Sequence, residues 1–200
     1  YEPVWAMVHN LRRAMGTRDE RYTLEGMIEF DEGYFTVESS EIEQEKGVRG
    51  RGAAGKQNVA VMAESVPLED LETGEKSKSC RYFKAKVLET HLSLEINETI
   101  KESIDNQSIV FTDKSTSYVD ISDFVELHIT EKSDKETTKE TLKWVHITIS
   151  NAKRNLLGNY HKIKRKYLQL YLNEFIYKLN RRYFGDKLFE RLIVANITAV

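Results

Sequence analysis

A single cysteine, Cys80, stands in the whole chain, which excludes an internal disulfide and any zinc site built on cysteine ligands. Long apolar runs are missing as well. No stretch approaches the roughly 18 uncharged apolar residues of a membrane span, and no charged-then-apolar leader opens the sequence, so a soluble cytoplasmic protein without membrane association is expected. No internal repeat recurs. Net charge is almost absent, at −2, but this last shortage is misleading.

The charge is divided between two parts of the chain. From Lys143 to Lys187 there are eleven Lys and Arg against two acids, Glu174 and Asp186, which leaves nineteen basic and thirty acidic residues elsewhere. A basic block on an acidic body points to a polyanion bound at one face. Tyr160, Tyr167, Tyr171, Tyr177 and Tyr183 interleave with the charges, which suits nucleic acid and equally suits an amphipathic helix core. Lys153, Arg154, Lys162, Lys164 and Arg165 are the candidate phosphate contacts. The tract "RGRGAAGK", with Arg49, Arg51 and Lys56, is a weaker candidate whose glycines allow close backbone approach. With 200 residues, 40% hydrophobic and 10% aromatic, the chain has enough for one well-cored domain. It opens at Tyr1 in helix-like sequence, as expected of a domain cut from a longer protein.

Periodicity predicts a helix over residues 2–15 closed by Gly16, where Trp5, Val8 and Leu11 fall at helical spacing. In "YTLEGMIEFDEGYFTVE", Leu24, Gly26, Ile28 and Phe30 alternate with Met27, Glu29 and Asp31, which is strand periodicity. Residues 58–64 and 80–89 read as further strands joined by a long turn over 65–79, making an antiparallel set. Leu92, Ile96, Ile100 and Ile104 predict a helix over 91–105, and "SIVFTDKS" predicts a strand buried on both faces with Asp113 at its carboxyl end. Residues 131–143 read as a mobile loop, followed by helices over 144–157, 163–184 and 187–194 separated by Gly158 and Gly185. The expected order is β-β-β-α-β and then helices. A helix at 1–20 would lead into a catalytic domain over 21–200.

Two aspartates and one histidine carry the chemistry. Asp31 leaves its strand on the face opposite Ile28 and Phe30, and Asp113 ends a strand at the edge where α/β sheets place their ligands. A carboxylate beside apolar strand residues is costly unless it is paired or binds a metal. Two hard oxygen donors on a rigid sheet suit Mg²⁺ or Mn²⁺, with a third ligand to come from a later helix. In "KWVHITISNAKRNLLGNYHKIKR", Val145, Ile149, Ala152 and Leu156 form a helical stripe, and His146 and Lys153 project together at its edge.

In order and spacing, "IEFDEGYF", "GRGAAGK", "VFTDKSTSY", "WVHITISNAKRNLLGNYH" and "YLQLYLNEFIYKLNRR" resemble the catalytic domain of bacterial ISXO2-like insertion-sequence transposases. That group belongs to the DDE superfamily, and the resemblance runs from about Trp5 to Leu192. It implies an α/β, RNase H-like mixed sheet flanked by helices. Asp31 and Asp113 would be its first two acids in a two-metal site that activates a water, and later a DNA 3′-hydroxyl, for in-line attack on phosphate. The third family acid, usually glutamate, aligns with His146, and the basic residue two turns on aligns with Lys153. Imidazole in place of that acid favours Mn²⁺ over Mg²⁺. The resemblance further implies DNA at the element ends and in the target as partner, at least a homodimer on DNA, and an N-terminal zinc ribbon and DNA-binding module that this sequence does not include. A catalytically silent DNA-binding descendant and an RNase H-like junction nuclease are the competing readings.

Overall fold

The computed structural model of the chain describes residues 1–38, 55–69, 74, 76–90, 92–115, 118, 120–132 and 140–198. Helix α1 spans Glu2–Glu20 and runs through Gly16, where a stop was expected. A Cβ at Gly16 would lie 2.2 Å from the amide nitrogen of Asn173. This glycine therefore serves the close approach of α1 to a later helix, α4 (Leu168–Asn180), and does not end its own.

Strands β1 (Met27–Thr36), β2 (Lys56–Glu69) and β3 (Lys76–Leu88) are followed by helix α2 (Ser93–Ser103), then β4 (Ile109–Asp113) and β5 (Leu127–Glu131). They form one sheet in the order β3-β2-β1-β4-β5. The β1–β2 and β2–β3 pairs are antiparallel, and β1–β4 and β4–β5 are parallel. Helices α3 (Lys143–Asn159), α4 and α5 (Lys187–Ile197) complete the order.

The structure corrects several expectations. The long turn over 65–79 is largely two strand arms, because β2 continues to Glu69 and β3 begins at Lys76 beyond a register shift at Glu64/Ser65. Ladder hydrogen bonds hold these arms although Val66 and Leu68 are exposed. Strand β5 was not expected at all. The strand around Ile109 is not buried on both faces: Val110 is fully covered by α2's side of the core, whereas Ile109 and Phe111 are half-buried because α3 packs on β1 and β2. Gly158 lies inside α3, and the long helix expected over 163–184 is α4 between short 3-10 turns at Arg165–Tyr167 and Arg182–Phe184. Gly185, with φ of 51°, does separate α4 from α5. Part of the expected loop, 133–139, lies outside the described residues, as do Arg49 and Arg51.

Two apolar layers sandwich the sheet. Leu24, Ile28, Phe30, Met62, Leu88 and Val110 pack on Ile96 and Ile100 of α2. Phe35, Val59, Val61, Ala63 and Phe83 pack on α3 and α4 through Val145, Ile149, Leu168, Leu172 and Ile176. Edge strand β3 does not present a bare hydrogen-bonding row, because amides of α4 act as a substitute strand. Gln169 accepts the Val87 N–H and donates to the Ala85 carbonyl, and Asn180 accepts the Phe83 N–H and donates to its carbonyl. Such capping protects an edge from pairing with other chains.

Candidate active site

The site grows from one face of β1. Residues 29, 31, 33 and 35 point toward α3, and α3 runs alongside in the same direction. Glu29 accepts hydrogen bonds from the backbone N–H groups of Trp144 (2.7 Å) and Val145 (3.1 Å). Asp31 Oδ2 lies 3.6 Å from His146 Nδ1. At Gly33 a Cβ would stand 3.0 Å from Ile149 Cγ2, so the missing side chain is what lets the helix lie this close. Further on, the Lys153 ammonium lies 5.6 Å from the centre of the Phe35 ring. Val145, Ile149, Ala152 and Leu156 of α3 are buried, while His146 and Lys153 flank that stripe as the helical spacing predicts.

Asp113 joins from the neighbouring strand. The β1–β4 register ends with Glu29 paired to Phe111, and Asp31 and Asp113 each lie two residues further along on the same face, near enough for Asp113 to act on Asp31. Asp113 bears on the titration of Asp31. Burial pushes the Asp31 carboxyl up to about 7, Asp113 and Glu32 push the same way, and the Glu32 N–H bond to Oδ1 (2.8 Å) and Lys153 oppose them. Burial lowers the His146 pKa, against the pull of Asp113. Near neutral pH the 3.6 Å approach therefore joins a neutral imidazole to a carboxyl close to its midpoint, a polar contact with little ion-pair strength.

The donor set fits a divalent cation in kind. Asp113 Oδ1 is buried with no hydrogen-bond partner among the described residues, Asp31 is ionised only at a cost, and His146 is biased to the neutral form that can donate a lone pair. Among the described residues, however, no group of three His, Cys, Asp and Glu side chains is already gathered as a metal cluster. Asp31 and His146 approach, and Asp113 lies near enough to act on both without closing the set.

Among the candidate phosphate contacts, Lys153, Arg154, Lys162, Lys164 and Lys56 are exposed. Arg154 also bonds Asn151. Arg165 is committed to the fold: its guanidinium donates to the Gln57 side chain and to the Lys56 carbonyl. The segment carrying Lys162 and Lys164 is tied to the end of β1, where the Glu38 N–H donates to the Ile163 carbonyl at 2.8 Å.

Two acids near the site escaped the sequence reading. Glu131 ends β5 directly across from Asp113 and accepts a 2.7 Å hydrogen bond from Thr141. Glu29 is fully buried, its carboxyl pushed up to about 7 by burial against the Val145 and Trp144 amides. Its alternation with Ile28 and Phe30 is the only trace of it in the sequence, and that trace reads as a solvent-facing strand position.

A family model described as the ISXO2-like transposase domain matches residues 23–180, a span that takes in β1 through α4 and every residue of this site. No curated protein matches the chain. No helix among the described residues is long and apolar enough to cross a membrane.

Proposed function

Because the chain belongs to the ISXO2-like transposase family, whose partner is DNA and whose RNase H-like α/β fold is the five-stranded mixed sheet with flanking helices seen here, we propose that it is a catalytic domain that cleaves DNA at insertion-sequence ends and joins the freed 3′ end to target DNA. The observation that carries this reading is the meeting of Asp31 and His146 at 3.6 Å, with Asp113 at the end of the next parallel strand and near enough to act on Asp31.

Asp31 and Asp113 are the residues that would hold Mg²⁺ or Mn²⁺, with His146 as third donor. Such an ion, when bound, polarises the scissile phosphate and eases deprotonation of the attacking hydroxyl. The chain's own residues prepare the site. The Glu32 N–H fixes Asp31 Oδ1, leaving Oδ2 to face the histidine. Burial keeps His146 neutral and thus able to coordinate. Lys153, one helical stretch away on the same side, offers a cation to a phosphate oxygen of the bound strand.

The competing reading is a DNA-binding descendant without activity, favoured by a histidine, His146, where the family usually has its third acid. Cleavage and strand-transfer assays on end-containing duplexes, in Mg²⁺ and in Mn²⁺, decide between them. Asp31→Asn and Asp113→Asn should each lower cleavage by about a hundredfold or more, since a metal's charge stabilisation is worth several kcal/mol, without loss of folding or DNA affinity. His146→Ala should lose most activity, and His146→Glu should keep some and shift preference toward Mg²⁺. A parent that binds DNA but cuts in neither metal is the silent descendant. Cutting without 3′-end joining identifies a junction-type nuclease.

A further inference from the structure

Helix α3 begins poorly by its own means. Its N-cap is Leu142, which makes no side-chain cap, and its first turn holds no acid. Helix starts leave backbone N–H groups without partners, and a side-chain oxygen normally accepts from the second or third of them. Here those are the amides of Trp144 and Val145, and both donate to one oxygen of Glu29, which is distant by 115 and 116 residues in sequence. The first backbone bond of the helix then runs from the His146 N–H to the Leu142 carbonyl at 3.1 Å. The turn that Glu29 holds is the turn that presents His146.

We infer that Glu29 is a positioning residue: from β1 it caps α3 and sets the height at which His146 stands against Asp31. Glu29 and Asp31 are two residues apart on one strand face, and the groups they meet, the Trp144 and Val145 amides and the His146 ring, are consecutive in α3. Strand and helix are thereby locked in register at the site itself, one step before Gly33 admits Ile149. Reach matters here more than charge. The second carboxylate oxygen, Oε1, has no hydrogen-bond partner among the described residues, so an amide nitrogen in its place breaks no bond. Removing a methylene withdraws Oε2 from both amides.

Three variants of the full 200-residue chain separate reach from charge: Glu29→Gln keeps the reach, Glu29→Asp keeps the charge, and Glu29→Ala keeps neither. Glu64→Gln is the control, a carboxylate as deeply buried but engaged with Tyr22 and the Glu25 N–H away from the site. The first readout is amide exchange at Trp144 and Val145. Glu29→Gln should stay within a few-fold of the parent, and Glu29→Asp and Glu29→Ala should exchange about tenfold faster or more, as expected for the loss of one or two such bonds. The second is the His146 ring resonance, which Asp31→Asn should shift in the parent, Glu29→Gln and Glu64→Gln backgrounds and leave nearly unmoved in Glu29→Asp. Neither readout needs metal or activity. Where cleavage is measured, which rests on the proposed function, Glu29→Asp should lower the turnover rate and leave DNA affinity unchanged. Parent-like exchange and a parent-like His146 response in Glu29→Asp overturn the inference, and so does a Glu29→Gln that behaves like Glu29→Ala. If the parent cuts no DNA, the catalytic reading fails while the exchange and resonance data still decide the role of Glu29.

Discussion

Asp31 is placed where its own charge is poorly tolerated. Burial comes first among the causes and Asp113 adds to it, so the folded carboxyl titrates near 7 and not near the ordinary 3.8. For an acid whose pKa is raised by folding, stability is fully present below the unfolded value and is lost as pH rises through the folded one. In the metal-free protein Asp31 thus costs nothing at pH 4 and on the order of 2 kcal/mol at pH 8, a discounted conversion of the shift. Asp31→Asn should accordingly melt higher than the parent at pH 8 in EDTA, by roughly 4–8 °C for a chain of this size, and the gain should vanish near pH 4. Adding Mn²⁺ should raise the parent's midpoint and leave the variant's unmoved, since only the parent keeps the ligand. An Asp31→Asn protein no more stable than the parent at pH 8 would show that the carboxylate is comfortable where it is. Gain in stability with loss of cleavage is the expected signature of a site that trades one for the other.

Elements differ in how plainly their sequence announced them. β1 was legible because Ile28 and Phe30 alternate with Asp31, and α3 because Val145, Ile149, Ala152 and Leu156 keep a helical stripe; these two elements carry Asp31, His146 and Lys153 of the candidate site, and Asp113 comes from the end of the apolar run that forms β4. β5 was not, because its five residues include only two half-exposed or exposed aliphatics, Leu127 and Ile129, and its order depends on pairing with β4. Glu29 was hidden for the same kind of reason: its partners are amides of a helix more than a hundred residues away. Gly16 misled because a glycine needed for packing and one that ends a helix look alike in sequence. The docking of α1 on α4 is open to test. His9 is buried, its Nδ1–H donates to the Trp5 carbonyl at 3.0 Å, and its Nε2 has no partner among the described residues. A second proton would put an unpaired N–H in the core, and burial, then Arg12 and Arg13, hold the pKa below 6.5. Glu174 behaves differently: burial opposes its ionisation, but hydrogen bonds from Lys178 and Arg12 outweigh that and lower its pKa below 4.5. Both shifts are downward, so both contributions are complete at high pH and lost as pH falls, His9 from about 6.5 and Glu174 from about 4.5. The fluorescence of Trp5, which stacks on His9 at 3.8 Å, should report two acid steps in a Trp144→Phe background. His9→Phe should remove the upper one; if it persists there, another group is responsible.

Across the whole molecule the charge asymmetry has a direction. Along β1 and just beyond its end, Asp31 faces His146, Phe35 faces Lys153, and Glu38 meets the segment that carries Lys162 and Lys164. Positive charge therefore begins at the acidic site and extends outward past the carboxyl end of one strand, as a track on which a DNA backbone could run with its scissile phosphate at the aspartates. Arg165 stands within this track but is already bonded to Gln57 and Lys56. It should therefore separate from its neighbours in experiment. Each of Lys153, Lys162 and Lys164 changed to alanine should weaken binding to unrelated duplexes to a similar degree and lower the slope of log affinity against log salt by roughly one unit. Arg165→Ala should instead lower the melting temperature and change the salt slope by well under one unit, since its hydrogen bonds serve the junction between the 3-10 turn and β2. Binding titrations at four or five salt concentrations, with a melting curve for each variant, provide both numbers. A triple variant of the three lysines with the parent's slope would mean that the track is a solvated face and that DNA lies elsewhere on the molecule; a full unit lost in Arg165→Ala would mean that its guanidinium leaves Gln57 for phosphate when DNA binds.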